Sequence, residues 1–177
     1  MRRLFLVVAV MAGLGGTALY VDHAQPGWYE RLRYPLRYEQ VVRGHASNYR
    51  LNPALLASVI YTESKFDANA RSEAGAIGLM QLLPDTAKGI AIRTGGKRFV
   101  VTDLTNPEIN VRYGAWYLRH LLDRYRDERM ALAAYNAGQA NVDRWRAAGL
   151  GIQFPETRYY VEKVERLKKV YANAYGL

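Results

Sequence analysis

From residue 50 onward the apolar side chains recur at three- and four-residue spacing, and no alternating run is long enough to make a core strand. That period confines the chain to helices. "NPALLASVIYTESKF" opens with Asn52 placed to cap and Pro53 at the first helical position, where its missing N–H costs nothing. "NPEINVRYGAWYLRHLLDRY" repeats that opening with Asn106 and Pro107 and runs to about Tyr125. "ERMALAAYN" predicts a short helix ending where Gly138 can turn left-handed, and "NVDRWRAAG" predicts another stopped by Gly149. A last helix is expected from about Thr157 to Tyr171, with Val161, Val164, Leu167 and Tyr171 on one face. Between the first two long helices, "RSEAGAIGLMQLLPDTAKGIA" reads as a glycine-punctuated loop that passes into a helix at Pro84. The expected architecture is mainly α, with loops where chemistry can sit.

One residue of the first long helix is out of character. Val59 and Leu55 precede Glu63 at four-residue steps, and Ile60 and Leu56 precede it by three and seven, so the carboxylate shares an apolar stripe. An ionised carboxylate does not go there uncompensated, because burial either costs free energy or raises its pKa. Two readings follow. The stem can pack while the head reaches water, or the carboxyl stays protonated near neutral pH and can donate a proton.

Composition narrows the chemistry. At 177 residues, half of them hydrophobic, the chain suits one domain with its own core and is not a disordered segment. With no cysteine there are no disulfides, no thiolate nucleophile and no cysteine-based metal site. The three histidines, at 23, 45 and 120, are scattered and no HExxH pattern occurs, so neither metal nor cofactor is expected. A net charge of +9 points to anionic surroundings: nucleic acid, membrane head groups or an acidic polymer.

The N-terminus, "MRRLFLVVAVMAGLGGTALYVD", carries two arginines and then an uncharged run. Asp22 spoils the nearest signal-cleavage site, so residues 1–21 are expected to be an uncleaved membrane anchor, with a cleaved signal as the alternative. The arginines then stay cytoplasmic and the rest is exported. Residues 22–34 read as a juxtamembrane linker whose Arg and Tyr side chains suit a head-group region, and residues 35–177 as the folded domain.

Four blocks in order, "YTESKFDANARSEAGAIGLMQLLPDTA", "NPEINVRYGAWYL", "ALAAYNAG" and "FPETRYYVEKV", resemble the catalytic domain of the lytic murein transglycosylases of the soluble (SLT) type. The resemblance covers roughly residues 38–171, and it is to the compact, membrane-anchored single-domain members. It implies a lysozyme-like α fold related to goose-type lysozyme, and a catalytic general acid at Glu63. It also implies substrate contacts from Ser72, Gln81, Tyr135, Asn136 and Glu156, with the Tyr135 hydroxyl approaching Glu63 to orient it. Each has a plainer alternative: Ser72 as a loop cap, Tyr135 as helix packing, Glu156 as a cap of the last helix. Met80 reads as core.

The implied reaction cleaves the β-1,4 bond between N-acetylmuramic acid and N-acetylglucosamine in peptidoglycan. Glycosidases commonly need a second carboxylate, and the candidates Asp67, Asp85, Asp103 and Glu156 do not share the stripe with Glu63. In the family's reaction the C6 hydroxyl of the muramic acid itself attacks C1, forming a 1,6-anhydro ring, and Glu63 serves as acid and then base. A muramidase using water, and a non-catalytic wall-binding protein, remain the alternatives. The partners expected are glycan strands and, through the N-terminal segment, the membrane. Nucleic acid is not expected, since the domain is exported and lacks a basic-aromatic module, and a monomer is expected. Lys163, Arg166, Lys168 and Lys169 fall on the polar side of the last helix, an ordinary solvated face.

Overall fold

The computed structural model describes residues 27–177, and within them the chain forms eight α-helices and one 3-10 helix. They are α1 Gly27–Arg33, α2 Glu39–Asn48, α3 Pro53–Ser64, α4 Pro84–Thr94, the 3-10 helix Val101–Thr105, α5 Pro107–Tyr125, α6 Glu128–Ala137, α7 Gln139–Ala147 and α8 Pro155–Tyr175. The expected anchor, residues 1–21, and the first part of the linker, residues 22–26, lie outside the described residues. Among the described residues no helix is long and apolar enough to cross a membrane.

The helix starts follow their capping chemistry. The Asn52 side chain accepts from the Leu55 N–H at 2.9 Å, and that of Asn106 from the Glu108 N–H at 2.9 Å. Asp127 caps α6 in the same way through the Met130 N–H at 2.9 Å. Each cap satisfies a backbone donor that the helix start leaves open.

Helix α3 runs through the centre of the molecule and packs most extensively on α8. Every residue from Ala54 to Ile60 is buried. The stripe read from the sequence is therefore part of a helix that is apolar on all sides, as expected for a core helix. Its burial ends only in the last turn, where Tyr61 to Ser64 are half-buried. A large core joins α2, α3, α5, α6 and α8, and a smaller one holds Ile77, Leu82, Ala87, Ile90, Leu104 and Tyr113 under the glycine-rich loop.

Two segments differ from expectation. Helix α2 has no counterpart in the sequence reading, and α8 is longer than expected at both ends. The part of the linker from residue 27 onward holds α1, which lies against α8. Arg31 Nε–H donates to the Ala174 carbonyl at 2.7 Å, and the Leu36 N–H donates to the Tyr175 hydroxyl at 3.0 Å. These bonds do not bury α1, whose Trp28 and Leu32 are exposed.

Candidate active site

Glu63 stands in the last turn of α3, and the chain leaves that helix under strain. Lys65 and Phe66 both take left-handed backbone angles, φ 53° and 64°. Side chains with a Cβ adopt that region at a cost, and such strain persists where the surroundings over-determine it. Here Phe66 is wholly buried in the main core.

Glu63 is largely enclosed, and burial raises its pKa from the ordinary 4.5 to about 7. Two groups oppose that rise: a hydrogen bond from Tyr160 and the positive charge of Lys163. The Tyr160 hydroxyl donates to Glu63 Oε1 at 2.7 Å. Lys163 follows on α8 three residues later, so both reach Glu63 from the helix that packs on α3. Among the described residues no second carboxylate acts on Glu63.

The glycine-rich loop forms the neighbouring wall and is tied down at nearly every residue. Asn110, wholly buried on α5, donates from Nδ2 to the carbonyls of Ile77 (2.9 Å) and Leu104 (2.8 Å). Its Oδ1 accepts from the Met80 N–H at 2.8 Å. Ser64 Oγ lies 2.8 Å from the Leu79 carbonyl, joining the loop to the residue after Glu63. Ile77 and Leu82 exchange both backbone hydrogen bonds, at 3.0 and 3.1 Å. Gly78 has φ 80°, and a Cβ there would stand 2.2 Å from the Leu104 carbonyl oxygen, so no other residue fits. Met80 is buried against Gly114, where a Cβ would meet Sδ at 2.2 Å.

Tyr135 takes a different place from the one expected. Its hydroxyl donates to the Met80 carbonyl at 2.8 Å, and the tyrosine hydrogen-bonded to Glu63 is Tyr160. A tyrosine hydroxyl donates only once, so that of Tyr135 is committed to the loop. It still lies in the field of Glu63, which adds to the effect of burial in pushing its own pKa well above 10.0. Tyr117 packs on its ring, centroids 5.5 Å apart.

Ser72 Oγ accepts from the Ala76 N–H at 3.0 Å, the geometry of a loop cap, with no hydrogen bond to Glu63. Gln81 has φ 46° and uses its Nε2 on the carbonyls of Gly78 (2.9 Å) and Ala70 (3.2 Å). Asn136 Oδ1 accepts from Thr157 Oγ1 at 2.8 Å, fastening the end of α6 to the start of α8. Glu156 is exposed in the first turn of α8, one turn before Tyr160 and on the same side of the helix. Glu63, Gln81 and Tyr135 thus converge through the loop, while Ser72, Asn136 and Glu156 make no hydrogen bond to Glu63. Sequence reasoning missed Tyr160, Lys163 and Asn110. Tyr160 lay inside the quoted "PETRYYVEKV" block, but only the packing of α8 on α3 selects it from its neighbours. Among the described residues no three His, Cys, Asp or Glu side chains gather as a metal site would require.

Residues 40–149 match the family model described as the transglycosylase SLT domain. The chain belongs to the transglycosylase SLT domain family. It is 35% identical over 147 residues to a putative soluble lytic murein transglycosylase of Haemophilus influenzae, covering 77% of this chain and 25% of that protein. It is 40% identical over 108 residues to a transglycosylase of Enterobacteria phage PRD1, covering 60% of this chain and 37% of that protein. This SLT-family chain therefore spans between a quarter and two fifths of the length of these relatives. Among solved structures it is similar to an inactive glutamate-to-glutamine mutant of lytic transglycosylase Slt from Pseudomonas aeruginosa. The TM-score is 0.75 at 32% identity, over 87% of this chain and 27% of that one. A complex of the 70-kDa soluble lytic transglycosylase with bulgecin A gives a TM-score of 0.78 at 28% identity, over 84% of this chain and 26% of that one. The mainly helical fold expected for the SLT domain is the fold these structures share.

Proposed function

We propose that this SLT domain is a peptidoglycan lytic transglycosylase in which Glu63 is the sole acid and base. The observation that carries this reading is one largely enclosed carboxyl, raised to about 7, with a tyrosine on one oxygen and no second carboxylate among the described residues acting on it. Near neutral pH about half of such a group is protonated and can deliver its proton to the bridging oxygen. Tyr160, which donates to Oε1, fixes the rotamer and leaves Oε2 to carry that proton. Once ionised, Glu63 withdraws the proton from the C6 hydroxyl as that oxygen attacks C1, closing the anhydro ring. The nucleophile is already attached to the substrate, so no enzyme carboxylate is needed to replace it. Effective molarities for such internal attack reach ~10⁵ M.

The side-chain oxygen of Gln81 is assigned to an N-acetyl N–H of the sugar, and Tyr135 to holding the loop that presents it. Ser72, Asn136 and Glu156 are assigned to the outer cleft. Names of relatives support the envelope setting, among them a membrane-bound lytic murein transglycosylase C of Histophilus somni, 36% identical over 120 residues. We assign residues 1–21 to a membrane anchor that holds the domain, acting as a monomer, outside the cytoplasm. Mass spectrometry of the mature protein tests this: an N-terminus between residues 18 and 27 overturns it.

Digestion of purified peptidoglycan tests the reaction. Wild type should release muropeptides ending in 1,6-anhydro-muramic acid, lighter by one water than reducing ends, and Glu63→Gln should bind glycan without cleaving it. Reducing ends would make the enzyme a muramidase. Anhydro products from Glu63→Gln would exclude Glu63 as the proton source.

A further inference from the structure

Away from Glu63, the loop after α4 and the start of α5 enclose an open pocket of about 540 Å³. Its lining includes Lys97, Arg98 and Arg112, none of which has a carboxylate partner among the described residues. The Arg112 guanidinium lies over the Tyr113 ring at 5.2 Å, and Phe99 tilts against the same ring at 5.1 Å. Tyr113 is only 2% exposed, yet its hydroxyl forms no hydrogen bond among the described residues, and its side chain lines the pocket. The hydroxyl itself opens onto the pocket, where it is available to donate. Gly96 keeps it uncovered, since a Cβ there would stand 2.6 Å from the hydroxyl oxygen. The acidic residue of the lining, Asp103, is turned onto the loop itself, where Oδ2 accepts from the Val100 N–H at 3.0 Å.

Three cations without a carboxylate partner, Arg112 among them stacked on the Tyr113 ring, beside a hydroxyl that opens onto the pocket make a site for an anion, and the aromatic wall suits one carried on an aliphatic chain. Helix α5 connects the pocket with the groups around Glu63. Tyr113 precedes by one helical turn Tyr117, which packs on Tyr135 beside Glu63. We propose that this pocket binds the carboxylate of an acidic peptide stem borne by the same glycan strand that Glu63 cleaves, an inference that rests on the wall substrate proposed above. The enzyme then distinguishes stem-bearing from bare strands without any stem contact at the acid itself.

Two measurements on the full chain test this at low ionic strength, where charge pairing is least screened. In the first, L-alanyl-D-glutamate and inorganic phosphate are titrated separately by calorimetry. Wild type should bind the dipeptide more tightly than phosphate. Lys97→Gln/Arg98→Gln should weaken dipeptide binding about three- to tenfold, the sum of two exposed charge contacts. Tyr113→Phe should weaken it with an unchanged melting temperature, because the hydroxyl it removes pairs with nothing in the fold. No dipeptide binding, equal binding by the double variant, or tighter binding of phosphate overturns the proposal. The second measurement compares kcat/KM on glycan strands with stems and on strands stripped of them. The double variant should lose activity on the former only, and equal loss on both overturns the proposal. Should wild type cleave neither strand, the reaction assigned to Glu63 falls while the titration still decides the pocket.

Discussion

Replacing Glu63 by glutamine should stabilise the protein at high pH and hardly at all in acid. Burial holds the Glu63 carboxyl near 7 in the folded chain, against 4.5 when it is exposed. A carboxyl whose pKa is raised on folding favours the folded state only while it is protonated. Below about 4.5 the group is protonated in both states and costs nothing. As pH rises from about 4.5 to about 7 the unfolded chain ionises this carboxyl while the folded chain still holds the proton, so stability falls across that window and levels off above it. At about 1.36 kcal/mol per pH unit between the two values, the penalty at pH 8 is about 3 kcal/mol. Glutamine has nearly the same shape and keeps an oxygen to accept from Tyr160, but it never ionises. Urea unfolding of wild type and Glu63→Gln at pH 4 and pH 8 should therefore show near-equal stabilities at the first and a gap of about 3 kcal/mol at the second. For a domain of this size that gap is ~6–12 °C in melting temperature. A pH-independent difference, or a variant less stable at pH 8, would refute the claim that Glu63 is held in an enclosed site. A gap of the predicted sign is the usual cost of a site selected for activity over stability.

The same environment sets the activity profile: kcat/KM should fall about tenfold per pH unit above about 7, as the proton donor is lost. Lys163→Met and Tyr160→Phe each remove a group that favours the carboxylate, so each should move that falling limb to higher pH, Tyr160→Phe with lower turnover as well. A limb that stays in place or moves down would show that neither acts on Glu63. Gly78→Ala should destabilise the fold by at least about 3 kcal/mol, since its Cβ would overlap both the Leu104 carbonyl and Asn110. Denaturant unfolding checks this, and a change within about 0.5 kcal/mol would mean that the loop is not pinned as described.

Local chemistry in the sequence sufficed for much of the fold. The Asn52–Pro53 and Asn106–Pro107 pairs each mark a helix start because a cap acts within one turn, and such interactions need no distant partner. Glu63 stood out for a similar reason: apolar neighbours one and two turns away put its carboxyl on the stripe, although they left open whether its head reaches water. Short range also explains the oversights. Helix α2 is held by what packs on it, and the buried His45 on its inner face bonds to Glu108, 63 residues away. The residues beneath Glu63 were read as one apolar stripe of a helix, yet α3 is covered on every side because α8 returns from the far end of the chain to pack on it.

The site divides along the same line. The proposed proton carrier stands out within its own helix, because a lone carboxyl on the apolar stripe of α3 is visible from its immediate neighbours, and the four ordered blocks point to it as the acid. Which tyrosine holds that residue is not visible in this way. Tyr135 and Tyr160 both stand on helices that reach the acid, and nothing in the spacing of either chooses between them. The choice falls to packing over a separation of 97 residues, which brings the Tyr160 hydroxyl to Glu63 Oε1 and leaves that of Tyr135 on the Met80 carbonyl. A hydroxyl donates one hydrogen bond, and only the assembled helices decide where it goes.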